Sequence, residues 1–76
     1  MIRELDLVSL ARDVPEHGLQ AGDVGTVVHC YRDGLAVEVE FITAAGKTLA
    51  VLTLDATDVH PMQGGQILHV RELASA

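Results

Sequence analysis

The chain is 76 residues long, enough for one small domain and too short for two domains, a long catalytic cleft or a stack of repeats. Apolar residues make up 49% of it, which excludes a disordered polypeptide, and the only aromatics are Tyr31 and Phe41, so the core must be aliphatic. Eleven acidic residues against five basic ones leave a net charge of −6, which repels phosphate backbones and anionic lipid, so neither nucleic acid nor a membrane is expected as a partner.

Turn-forming clusters recur at short intervals, separated by runs rich in Val, Leu, Ile and Thr, the pattern of a small all-β domain. The first expected strand is 5–10, with Leu5, Leu7 and Ser9 on one face and Asp6, Val8 and Leu10 on the other. Pro15 and Gly18 then oppose a helix, so 11–20 is read as a long surface loop. A β-branched strand over 26–31 follows, with Gly25 marking a bulge or a close backbone approach just before it.

Arg32-Asp33-Gly34 predicts a hairpin, and the return strand alternates Val37, Val39 and Phe41 with Glu38 and Glu40, one face dry and one wet. A second hairpin through Ala44-Ala45-Gly46-Lys47 leads into 48–54, apolar on both faces: Leu49 and Val51 on one, Ala50, Leu52 and Leu54 on the other. Residues 55–58 suggest one short 3-10 turn behind an acidic cap, and 59–62 a last short strand, with Pro61 suited to a sheet edge. Beyond Gly64-Gly65, Ile67, Val70, Leu73 and Ala74 fit a helix about as well as Leu68 and Val70 fit a strand; the β-rich 67–70 tips the reading to a strand.

This order predicts a mainly all-β, five-stranded SH3-like barrel over 1–62, with a long first loop and a short 3-10 turn before the last barrel strand. Residues 63–76 form a C-terminal extension, read as a strand packing on the barrel or on a neighbouring subunit. Charges at positions 3, 4, 6, 12 and 13 interrupt any signal-peptide core, and no apolar run approaches the ~20 residues that span a bilayer. With Cys30 alone, no internal disulfide can form, which fits a reducing compartment; a cytoplasmic location is expected.

Two resemblances attach to particular residues. Leu19-Gln20-Ala21-Gly22-Asp23-Val24-Gly25-Thr26-Val27-Val28 is similar to the glycine-containing turn and strand of KOW-type SH3-like domains of ribosomal and transcription proteins. Over more of the chain, Glu4-Leu5-Asp6-Leu7-Val8, Pro15-Glu16-His17-Gly18-Leu19, residues 22–28 and Glu38-Val39-Glu40-Phe41 together resemble the very small bacterial proteins of domain-of-unknown-function family 4926. Proteins of that family are often stand-alone chains on mobile or accessory DNA, some beside suspected toxin genes. The resemblance therefore implies a binding or neutralising partner more than a reaction, and it carries no catalytic residues.

The residues themselves point the same way. His17, His29, His60 and His69 lack the close pairing of zinc sites, the nearest two being nine positions apart, so no metal and no cofactor is expected. Cys30 reads as a small buried hydrophobe, its neighbour His29 being sent to the opposite face by strand alternation. Glu38 and Glu40, about 7 Å apart on one strand face, read as solvated rather than as an acid–base pair. No catalytic residue is therefore expected.

Loop residues Arg12, Glu16 and His17 border the ligand groove of an SH3-like barrel, and Tyr31 and Arg32 at a hairpin end could grip a partner; these five are the candidate partner-binding residues. The apolar surplus of Ala50, Leu52, Leu54, Ile67, Leu68, Val70 and Leu73 predicts a homo-oligomer, a dimer or higher, with the tail packed on or exchanged with a neighbour. The expected function is a non-enzymatic protein-binding module, antitoxin-like or a regulatory accessory, with a basic protein partner favoured by the acidic charge. The alternatives are a KOW-like nucleic-acid-binding barrel and, behind it, a small enzyme or metal protein.

Overall fold

A computed structural model describes residues 2–72 of the chain. Five strands, β1 (Leu7–Leu10), β2 (Val24–Cys30), β3 (Ala36–Ile42), β4 (Thr48–Asp55) and β5 (Val59–Pro61), form one antiparallel sheet in the order β4-β3-β2-β1-β5. Single 3-10 turns lie at Pro15–His17 in the first loop and at Ala56–Asp58 between β4 and β5. This is the mainly-β architecture of an SH3-like barrel, its β4 and β5 edges not joined by a ladder.

The inward face of the sheet carries Val8, Leu10, Val27, Val37, Val39, Phe41, Leu54 and Val59, and Val14 and Leu19 of the first loop complete the core. Val14 and Leu19 form an isolated bridge around the Pro15–His17 turn, so the loop pins itself shut and delivers two apolar side chains to one end of the barrel. Gly18 closes that turn in the left-handed conformation, which costs glycine little.

β1 is shorter than the expected 5–10. The Arg3 amide donates to the Asp6 carboxylate at 2.9 Å, closing a turn in which Leu5 takes φ +73°, so regular pairing begins only at Leu7. Gly25 makes the close approach its sequence suggested: a Cβ built there would lie 2.5 Å from Val39 Cγ1 and 2.9 Å from the Glu40 carbonyl oxygen.

The bulge lies elsewhere, between Val27 and His29. Val27 opposes Val39 and Cys30 opposes Val37, so both turn toward the core while Val28 is exposed. Cys30 therefore shares the inward side with Val27, not with Val28 as strict alternation requires, because the extra residue at Val28 resets the period.

β4 corrects part of the expected oligomer surface. Its register sets Ala50 opposite Phe41, Leu52 opposite Val39 and Leu54 opposite Val37, and directly opposed residues share a face. Leu54 is thus a core residue, Leu52 packs against the core, Val51 turns outward, and Leu49 sits unpaired at a register shift opposite Phe41 and Ile42.

The tail is a second correction. Gln66 donates its amide to the Gln63 carbonyl in a turn at 3.0 Å, and residues 67–72 then run without strand pairing. Polar side chains rather than a ladder hold this segment to the barrel, through contacts described below. Leu73 and Ala74, and the helical alternative that relied on them, lie outside the described residues.

Candidate functional site

β2 begins beside the only buried charged residue among those described, Asp23, 8% exposed. One of its carboxylate oxygens, Oδ2, accepts the Gln20 amide at 2.8 Å, which fixes the tight turn 20–23 ahead of the strand. Glycine at position 22 takes φ +93° in that turn, a conformation that costs glycine little.

Arg71 of the tail reaches this carboxylate as a fork. Its Nε donates to Oδ1 at 2.7 Å and its Nη2 to Oδ2, while Nη2 also donates to the Gly18 carbonyl at 2.9 Å. Two carboxylate oxygens and one backbone carbonyl thus form a cradle of three acceptors that one guanidinium engages. His69 stands on the same carboxylate, its Nε2 being 3.2 Å from Oδ1, and its ring covers Gly22.

Burial by itself pushes the Asp23 carboxyl up; the hydrogen bonds from Arg71 and the Gln20 amide, with the charge of Arg71, outweigh it and hold Asp23 below the usual carboxylate range. The same bond raises the Arg71 guanidinium.

A groove of about 420 Å³ opens beside this cradle, lined by Leu19, Asp23, Val24, Phe41 and Leu49, with the tail as one wall. On the other flank of the tail a second groove, about 530 Å³, runs between Ser9, Met62 and Ile67. The tail therefore crosses the end of the barrel as a strap, attached through His69 and Arg71. Ile67 and Val70 are 91% and 96% exposed and add no packing.

The five expected partner-binding residues do not form one cluster. Glu16 and His17 lie exposed in the 3-10 turn next to Gly18, at the cradle end of the barrel. Arg12 is committed to Asp58, with Nε 3.2 Å from Oδ1, and this contact raises its guanidinium. Tyr31 and Arg32 follow β2 at its far end, separated from Asp23 by seven strand residues, roughly 23 Å of chain.

There the Tyr31 hydroxyl donates to Glu38 Oε1 at 2.6 Å, which raises the phenol, and the His29 ring meets Tyr31 edge-on. Glu38 also accepts from Thr53, and Glu40 accepts from Thr48 at 2.8 Å, so both carboxylates take part in cross-strand hydrogen bonds. Among the described residues no group of three or more His, Cys, Asp or Glu side chains is placed to hold a metal, and no helix is long and apolar enough to cross a membrane.

Asp23, Arg71 and His69 were not among the expected site residues. Asp23 stands in the glycine-containing turn ahead of a β-branched run, and Arg71 lies in the C-terminal extension. The one sequence signal was an acid flanked by glycine and a β-branched run, which also describes an ordinary turn.

Neither a curated protein nor a solved structure matches the chain. A family model matches residues 4–61, from the turn ahead of β1 to the end of β5, and supports the broader of the two resemblances but not the KOW one. Asp23 and Gly18 fall inside that match and Arg71 outside it, and the chain belongs to the family of the domain of unknown function DUF4926.

Proposed function

We propose that this protein is a non-enzymatic protein-binding module whose cradle-end groove receives an extended segment of a partner. The observation that carries this reading is the Asp23–Gly18 cradle, a geometrically exacting receptor for a basic side chain at the mouth of an apolar groove. Ile42 and Leu49 offer exposed apolar contact beside that single charged anchor, the combination that fixes both affinity and register in peptide recognition.

The net charge of −6 supports a basic partner through steering. Two of the five cations, Arg12 and Arg71, are already bound to carboxylates, which favours protein over phosphate as the ligand. An antitoxin-like or regulatory role in the cytoplasm is the form in which such a module would act.

Self-association belongs to the same reading. β4 is an edge strand of eight residues that turns Val51 outward, and an exposed edge of that length is a template for pairing with another chain. The exposed tail residues Ile67, Leu68 and Val70 add apolar surface that a second subunit would cover.

The test is affinity capture by tagged protein from host lysate, divided into nuclease-treated and untreated halves. One stoichiometric protein recovered from both halves, and reduced with Asp23→Asn as bait, is the expected result. Recovery that disappears with nuclease would replace the module by a nucleic-acid-binding barrel.

A further inference from the structure

We propose that the Asp23–Gly18 cradle is a binding site for an arginine side chain carried on an extended segment of a partner protein, and that Arg71 is the resident occupant which this arginine displaces. The inference rests on the reading of the chain as a binding module and adds to it the chemistry of the ligand and the reason the site is closed in the free protein.

The geometry selects arginine over lysine. Both carboxylate oxygens of Asp23 are engaged by two different nitrogens of one planar group, and the Gly18 carbonyl takes a further N–H from that group. An ammonium is a point donor and lacks the two separate nitrogens, Nε and Nη2, that engage Oδ1 and Oδ2 side by side. The Asp23 side chain is 11% exposed with Arg71 and His69 seated on it, and departure of the guanidinium would leave the carboxylate with the Gln20 amide and His69 as its remaining partners.

The present occupant is held in a way that suits exchange. Arg71 arrives on a segment without strand pairing, past Gly64 and Gly65, whose surroundings are open. Ile67 and Val70 of that segment bury almost nothing. Open grooves flank the strap on both sides, and one presents Ile42 and Leu49 over the buried Leu19 and Phe41. An incoming segment with arginine at the cradle and apolar residues in the groove would match the polar contacts of the strap and add the burial the strap lacks. The strap in turn acts as an intramolecular competitor, raising the threshold for weaker basic segments.

The test uses the full chain, wild type and Arg71→Gln, each titrated with a synthetic peptide of the sequence of residues 66–72 and with the same peptide carrying Gln in place of Arg. The readout is the NMR shift of the Gln20 amide, which donates to the Asp23 carboxylate. Saturable binding of the arginine peptide to Arg71→Gln is expected, with affinity for the wild type weaker by about fivefold or more, since the strap leaves only a fraction of molecules competent. Arg71→Lys should fall between the two. Equal affinity in wild type and Arg71→Gln, binding of the Gln-bearing peptide, or absence of saturable binding to Arg71→Gln would each overturn the proposal.

A wild-type dimer that becomes monomeric in Arg71→Gln would also overturn it, giving the cradle to the tail of a second copy. The two readings fail separately. If lysate capture recovers a partner equally well with wild type and Arg71→Gln while the titration fails, the module stands and the arginine assignment falls. A successful titration with an empty capture would leave the cradle and remove the module.

Discussion

A methyl group added at Gly25 would press on a backbone oxygen as well as on two side chains, since the Glu40 carbonyl lies 2.9 Å from the Cβ position and Phe41 Cε1 at the same distance. The backbone of a central strand has little freedom to yield. Gly25→Ala is therefore expected to destabilise the fold by about 1–3 kcal/mol, read as a shift of the urea midpoint with an unchanged slope.

Asp23 makes a different prediction at the same scale. Its carboxyl is held below the usual range in the folded chain, so the folded state binds that proton less tightly than the unfolded state does. The resulting stabilisation is fully present above the unfolded carboxyl value, about 3.9, and is lost as pH falls through the lower folded value. Unfolding measured between pH 5 and 2 should show wild-type stability falling more steeply than that of Asp23→Asn; parallel curves would remove Asp23 as the source.

Residues differ in how far their sequence surroundings announce them. Gly25 could be read as a close approach because glycine weakens a strand, and its place beside a β-branched run makes sense where a neighbour needs the room. The pairing of Asp23 with Arg71 could not be read, because 48 positions separate them and no periodicity connects a turn acid to a tail cation.

β3 alternates cleanly and was readable without a structure, because its inner face is dry and its outer face wet along the whole element. β4 is apolar on both faces, so its pattern could not say which face turns inward. Pairing with Val37, Val39 and Phe41 decides it, and places Leu54 in the core. β2 misled for another reason, since one unpaired residue at Val28 reverses the parity of everything after it. The tail failed as a strand because residues 67–72 pair with neither free edge of the sheet, β4 or β5, and are held to the barrel end by the side chains of His69 and Arg71.

The element-scale prediction concerns the edge. Val51, 52% exposed on the outward face of β4, can be replaced by lysine without disturbing the core, and an edge lysine discourages pairing with another strand. Val51→Lys should lower the apparent mass of the protein in sedimentation at micromolar concentrations. An unchanged distribution would clear β4 of any role in self-association.

At the scale of the whole molecule, the barrel separates its chemistry by end. The Asp23 cradle, the first-loop turn and the strap share one end, while Tyr31, Glu38 and the β2–β3 hairpin occupy the other. A partner engaging the cradle end would therefore leave the hairpin end free; of the expected set, Glu16 and His17 stand exposed at the cradle end, and Arg12 beside them is held by Asp58.

The position of β1 between β2 and β5 also has a consequence in time. The meander β2-β3-β4 is made of neighbours in sequence, but β1 must meet β5 through pairs such as Val8 with Pro61, across almost the whole chain. Such a closure carries a large loop entropy and comes late. A ribosome therefore releases the first strand with its hydrophobic side chains uncovered and holds it unpaired with β5 until the end of the domain has emerged. In refolding kinetics Val39→Ala should mainly slow folding and Val59→Ala mainly accelerate unfolding; the reverse pattern would mean that the chain ends meet first.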